Sequence, residues 1–158
     1  MQAEYINPFI TSLRNTFQTM LGCEVHRGKL ALASDSYPTH EISGIIGLSG
    51  KAVGTVVLSL SEALALKAAS TMLMCEITAM DDDVADAVGE LTNMVAGAAK
   101  ATLEQYELRV SLPNVITGRG HVVRFPSEVS PISVPFESDW GDLALKVGLA
   151  PVREPVTA

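Results

Sequence analysis

Apolar positions near the start of the chain recur with the period of an α-helix. They are spaced four, three, four and three residues apart, at Ile6, Ile10, Leu13, Phe17 and Met20. Residues at these spacings share one helix face. Pro8 is compatible with the first turn of such a helix and Gly22 with its end. The pattern therefore predicts an amphipathic N-terminal helix that ends at Gly22.

The next 38 or so residues favour strands, because β-branched and apolar side chains are divided there by short polar and glycine-containing breaks. The breaks lie at 34–39 and 49–51. Three strands are predicted between Cys23 and Leu60, and the last two form a hairpin.

Two helices are predicted in the middle of the chain. Ser61 is a suitable N-cap for an alanine- and leucine-rich helix over 62–74. A longer helix follows, opening with three aspartates at 81–83 and reaching about residue 105. The negative charges of these aspartates interact favourably with the positive end of the helix dipole.

The chain then returns to strand patterns, over 121–125, over 132–137 and in an alternating run containing Leu143, Leu145 and Val147. Pro131 and Pro135 indicate an edge or irregular pairing. The order of elements predicts an α+β fold, a mixed or antiparallel sheet with the N-terminal helix and the two central helices packed on it. We expect one domain over 1–150 and a flexible tail over 151–158.

Charge and composition argue against some classes of function. The net charge of −7 argues against nucleic-acid binding and does not favour an anionic membrane surface. The N-terminal segment has neither a basic start nor an uninterrupted apolar run, so we expect a cytoplasmic protein without a signal peptide or membrane span. Cys23 and Cys75 lack CxxC spacing and are interpreted as reduced packing residues.

The long central helix has two different sides at about 100° per residue. One side is expected to face the core and carries Val84, Val88, Leu91, Val95, Ala98 and Thr102. The opposite side carries Asp86, Glu90, Asn93, Gly97 and Glu104. Such a set is ordinarily a solvated face, yet Gly89 and Gly97 flank Asn93, and each costs about 1 kcal/mol relative to alanine. Glycines there indicate that another molecule comes close to Asn93.

The segment 86–100 resembles the signature helix of the CheX/CheC/FliY phosphatase family. The family's Glu-x-x-Asn motif is present as Glu90 and Asn93, followed by Met94, Gly97 and Lys100 in the family's pattern. CheC and FliY proteins usually carry two copies of this helix, so the single copy here is similar to CheX.

The resemblance implies a CheC/CheX-like fold and removal of phosphate from a CheY-like response regulator in chemotaxis or related two-component signalling. Asn93 would orient the attacking water, and Glu90 would pair with a lysine of the regulator. The resemblance also implies a homodimer and no cofactor bound by this chain, because the regulator supplies Mg²⁺. The expected partner-interface residues are Asp86, Gly89, Gly97 and Lys100.

Two other functions remain open from the sequence. One is a non-catalytic dimeric adaptor that binds a regulator or a motor component. The other is a metal-dependent hydrolase, which is disfavoured because no histidine or carboxylate cluster at ligand spacing accompanies the aspartates at 81–83. These aspartates are interpreted as helix-capping residues, and His26, His40 and His121 as surface or sheet residues.

Overall fold

A computed structural model describes residues 5–29, 31–32, 40–127 and 129–152. Its helices are α1 (Ile6–Leu21), α2 (Glu62–Leu73) and α3 (Asp82–Ala101). Its strands are β1 (His26–Arg27), β2 (Ala31–Leu32), β3 (Ile42–Ser49), β4 (Ala52–Leu60), β5 (Arg109–Val110), β6 (Asn114–Thr117), β7 (Ile132–Glu137) and β8 (Leu143–Pro151). The predicted α+β architecture is confirmed.

The strands form one antiparallel sheet in the order β1-β7-β8-β4-β3-β5. The short strand β2 also pairs with β7, and β6 also pairs with β3. All three helices contribute to the core cluster that covers one face of this sheet. The α3 helix contacts both other helices and the strands β3 to β6, so it lies at the centre of the helical layer.

The predicted helix ends agree with the structure at three caps. Gly22 ends α1 in the left-handed conformation, with φ of 62°. The Ser61 hydroxyl accepts a hydrogen bond from the Leu64 amide at 3.4 Å, and the Asp81 carboxylate accepts one from the Val84 amide at 3.1 Å. The predicted C-terminal end of α3 at about residue 105 is wrong. The helix ends at Ala101, and Glu104 belongs to a separate 3-10 turn.

The buried faces of the helices differ from prediction at their C-terminal ends. Met20 is 41% exposed and Leu21 is buried instead, because the next residue on the buried face after Phe17 follows at a spacing of four. On α3, Ala98 is exposed and Ala99 packs inside, and beyond its end Thr102 is exposed and Leu103 buried. The remaining predicted core residues of the two helices are buried.

The predicted hairpin is confirmed as β3 and β4, joined at Gly50, whose φ is 144°. A Cβ atom at Gly50 would lie 2.4 Å from the Glu107 carbonyl oxygen, so only glycine fits this turn. The first of the three predicted strands is divided into β1 and β2. The predicted break at 34–39 lies outside the described residues.

Pro135 lies where the outer ladder of β7 is interrupted between β1 and β2. Its carbonyl oxygen accepts a hydrogen bond from the Gly28 amide at 2.7 Å, which places the proline nitrogen on the same outer side. The backbone N–H that Pro135 lacks would therefore point to the interrupted outer side of β7. Its absence costs no hydrogen bond in the pairing of β7 with β8. The predicted irregular pairing at Pro135 is confirmed.

The strand predicted over 121–125 is wrong. This stretch belongs to an irregular segment that crosses the sheet face opposite the helices. There Phe125 and Val129 lie so close to Gly148 that an added Cβ atom would meet their side chains at 2.8 and 2.4 Å. The described residues of the segment do not pair with an edge strand. Their apolar side chains pack on the face of the sheet instead.

The last strand, β8, runs one residue past position 150. Pro151 is the last residue of β8 and pairs with Ala52, and the Val152 amide donates to the Lys51 carbonyl at 2.9 Å. The sheet thus extends past the predicted boundary at residue 150. Residues 153–158 of the predicted tail lie outside the described part of the chain.

None of the helices in the described ranges has the length and apolar character needed to cross a bilayer. Cys23 is buried and unpaired, and burial raises the pKa of its thiol, so it is a packing residue as expected. Cys75 is exposed, so its interpretation as a packing residue is wrong.

Candidate functional site

The position of α3 over the sheet depends on a small residue beneath it. Thr92 faces Gly44 of β3, and a Cβ atom at Gly44 would lie only 2.0 Å from the Thr92 hydroxyl oxygen. That hydroxyl is fully buried and donates to the Val88 carbonyl at 2.7 Å. Gly44 therefore allows α3 to approach β3 closely at Thr92, the residue before Asn93.

A second contact holds α3 from the side of α1. The buried Ser12 hydroxyl donates to the Val95 carbonyl at 2.7 Å, two residues after Asn93. Ser12 and Gly44 were both missed at the sequence level. A serine beside the apolar positions of α1 was the available signal for the first, and nothing in the sequence marks the second as different from other strand glycines.

Five of the predicted site residues form one exposed surface strip along α3. At 3.6 residues per turn they fall within an arc of about 80° and span about 21 Å of helix. Asp86, Glu90 and Lys100 are exposed, and Asn93 and Gly97 are half-buried. The structure thus brings Asp86, Glu90, Asn93, Gly97 and Lys100 together.

The two motif side chains at the centre of the strip have no competing partner among the described residues. Neither Glu90 nor Asn93 forms a side-chain hydrogen bond or ion pair with any residue in the described part of the chain. A carboxylate acceptor and a carboxamide with two donors are therefore presented to solvent, one helical turn apart.

Gly89 differs from the other predicted site residues because it is buried. A Cβ atom added there would lie 3.5 Å from the side chains of Pro113 and Val115. Gly89 sits about 40° further round the helix than Asn93, which turns it toward the sheet edge. The expectation of an open helix face at Gly89 is wrong, since this chain itself occupies that space.

The neighbouring sheet edge contains a bulge that the sequence did not reveal. Between β5 and β6, residues 111–113 lie opposite only Ile46 and Gly47 of β3. The Ser111 amide donates to the Gly47 carbonyl, and the Ser111 hydroxyl accepts from the Gly47 amide, both at 2.9 Å. The bulge places Pro113 against Gly89 and leaves Leu112 87% exposed.

The electrostatic character of the strip changes along its length. The exposed carboxylates Asp82, Asp83, Asp86 and Glu90 occupy the N-terminal half of α3, and Lys100 lies in the last turn. This arrangement complements the helix dipole. It also presents an acidic surface to any partner that approaches Glu90.

The strip lies on the convex surface of a helix rather than in a pocket. A cleft of about 280 Å³ is lined by residues of α1 and the segment after it, including Arg14 and Glu24. A groove of about 650 Å³ lies along α2, beside Lys67 and Cys75. Neither is lined by a residue of α3. A convex site suits a macromolecular partner that provides its own cleft.

Other chemistry has less support in the described ranges. No three His, Cys, Asp or Glu side chains there are grouped so that they could hold a metal ion. His121 and Ser43 form a close pair, with 2.7 Å between Nε2 and the hydroxyl oxygen, although His121 was interpreted as an ordinary surface or sheet residue. Ser43 is fully buried and also forms a hydrogen bond with Ser59. The pair therefore holds the irregular segment around His121 on the sheet and is not placed to contact a substrate.

Comparison with known proteins agrees with the architecture and the motif. The sequence profile of the family described as "Chemotaxis phosphatase CheX" matches residues 42–137. The "CheY-P phosphatase CheX" of Thermotoga maritima is 34% identical over 152 residues, covering 93% of this chain and 97% of that protein.

Solved structures give the same result. The chemotaxis protein CheX from Vibrio vulnificus superposes with a TM-score of 0.87 at 35% identity, covering 93% of this chain and 99% of that one. A CheX–CheY–BeF3–Mg²⁺ complex from Borrelia burgdorferi contains a chain of the same fold, with a TM-score of 0.81 at 23% identity and coverage of 94% and 99%. With the Glu90 and Asn93 motif on the outer side of α3, these matches establish that the chain belongs to the CheX family of chemotaxis phosphatases.

Proposed function

We propose that this protein removes phosphate from the aspartyl phosphate of a CheY-like response regulator, and is therefore a hydrolase of chemotaxis or related two-component signalling. The relative from Thermotoga maritima is named for this activity on phosphorylated CheY. The observation that carries the proposal is that the side chains of Glu90 and Asn93 have no partner among the described residues and lie on a convex helix, which can enter a partner's phosphorylation cleft.

The proposed reaction needs little from this chain beyond positioning. A water oxygen forms a bond to phosphorus while the bond from phosphorus to the aspartyl oxygen breaks, releasing inorganic phosphate and a free carboxylate. The regulator holds Mg²⁺ and a lysine beside its phosphate. The Asn93 carboxamide orients the water by a hydrogen bond and, being neutral, does not repel the phosphoryl group.

Glu90 has a different role in this proposal. It forms an ion pair with the regulator's lysine and so fixes the depth and angle at which α3 enters. An exposed pair of this kind contributes little, but the same pair strengthens once the interface excludes water. Asp86 and Lys100 extend the contact along the strip in both directions, and Gly97 admits the partner's backbone.

The direct test is the loss of phosphate from each phosphorylated CheY-like regulator of the host in the presence of Mg²⁺. Native protein is expected to accelerate the loss from at least one regulator above its own rate of autodephosphorylation. If the folded protein binds a regulator and accelerates none, the adaptor function takes the place of the phosphatase.

Replacing Gly97 with alanine is expected to increase stability and decrease activity. A Cβ atom at Gly97 meets nothing within 4 Å, so the folded chain gains helix propensity, about 1 kcal/mol, without a clash. The added methyl group stands where the partner is expected to approach. We expect a higher Tm together with a several-fold lower kcat/KM, and a larger loss for Gly97→Leu. Unchanged kcat/KM in both variants would remove Gly97 from the interface.

We also infer a cytoplasmic homodimer. In the described ranges, β1 and β2 form the outer edge of the sheet away from α3 with no strand beyond them, and such an edge can pair with a second copy. Light scattering is expected to give about twice the chain mass of 16.7 kDa. A single-chain mass across micromolar concentrations would contradict this inference.

A further inference from the structure

The bulge at residues 111–113 exposes an apolar side chain beside the α3 strip. Leu112 is 87% exposed, and the residue before it is held by hydrogen bonds. Ser111 is joined to Gly47 by two hydrogen bonds, and its hydroxyl donates to the Leu112 carbonyl at 2.9 Å. Pro113 lies beside Gly89, where an added Cβ atom would be 3.5 Å from the proline ring, so the bulge is next to α3.

A single exposed apolar side chain needs no functional explanation by itself. Leu112 differs because it lies in a hydrogen-bonded bulge next to α3. An apolar side chain on a backbone held by hydrogen bonds has lost part of its freedom already, so burying it against a partner costs less entropy. Bulges of this kind occur at sheet edges beside active sites, where they redirect a side chain.

The position of the bulge indicates which molecule would cover it. Pro113 lies beside Gly89, which directly precedes Glu90, and Asn93 lies on the flank of α3 that faces this edge. We therefore expect a regulator whose phosphorylation cleft receives Asn93 to extend over the bulge. We infer that Leu112 is a docking residue for the response regulator, filling an apolar depression on the surface beside its phosphorylation cleft. This inference rests on the proposed function.

The test compares Leu112→Asp with Met74→Asp, since Met74 is similarly exposed, at 91%, but lies at the C-terminal cap of α2. Dephosphorylation of the regulator that native protein accelerates is measured over a range of its concentrations. Leu112→Asp is expected to raise KM at least fivefold with kcat within twofold of native, because docking is lost and the water-orienting side chain is retained. Met74→Asp is expected to keep both constants.

A second readout separates docking from catalysis. Binding of each variant to the beryllofluoride-activated regulator is measured by titration, and the mass of each variant by light scattering. Weaker binding by Leu112→Asp at unchanged mass supports the inference. Native binding and KM for Leu112→Asp overturn it while leaving the phosphatase proposal intact. A change in mass assigns Leu112 to contacts between copies of this chain, and a native protein that acts on no regulator overturns both proposals.

Discussion

Asn93→Ala is expected to reduce kcat for regulator dephosphorylation by about 100-fold, the loss usually caused by removing one group that positions the reacting atoms. The substitution removes the carboxamide that orients the attacking water. The fold is expected to persist, because Asn93 makes no hydrogen bond to the described residues and alanine is the better helix former. The measurement is phosphate release at saturating regulator.

Two further variants show whether the loss is specific to this carboxamide. Asn93→Asp preserves the shape and adds a negative charge, so it is expected to lose as much activity as alanine, since the charge repels the phosphoryl group. Asn15→Ala changes an asparagine on the exposed side of α1 and is expected to retain native kcat. Activity of Asn93→Ala within a few-fold of native would remove Asn93 from the chemistry.

Glu90→Gln is expected to lower kcat/KM by about 30-fold, as found when one partner of a desolvated interfacial ion pair is neutralised. Most of the effect should appear in KM, because the carboxylate holds the regulator and does not take part in bond formation. The substitution keeps the side chain's length and changes only its charge. Dephosphorylation kinetics measured across regulator concentrations separate KM from kcat.

Salt provides an independent check on Glu90. The native KM should increase with ionic strength, and the KM of Glu90→Gln should increase less, because one charge contact is already missing. Glu104→Gln removes an exposed carboxylate outside α3 and is the matched control, expected to behave as native. If both variants show the same loss and the same salt dependence, the effect is one of net charge rather than an ion pair at Glu90.

The regular elements were predictable because their patterns are long. α1, α3 and the β3–β4 hairpin each contain enough apolar repeats for the period to stand out, and their caps at Gly22 and Asp81 are local signals. The edge formed by β5 and β6 was not predicted. These strands have two and four residues, mostly exposed, so neither alternation nor burial marks them in the sequence.

The candidate site was predictable only where its residues lie within one element. Helical spacing was sufficient to place Glu90 and Asn93 on one face, because both lie within α3. Spacing could not show that Pro113 covers Gly89, since this contact joins residues 24 positions apart through a bulge in another element. For the same reason, Gly44 and Ser12 were identified only from the packing around α3.

The most direct test of the phosphatase mechanism is a crystal structure of this chain bound to its beryllofluoride-activated regulator with Mg²⁺. We expect α3 to enter the phosphorylation cleft, with the Asn93 carboxamide within hydrogen-bonding distance of the in-line water position and Glu90 paired with the regulator's lysine. A regulator docked on the opposite sheet face or at the β1–β2 edge, with Asn93 left in solvent, would contradict it.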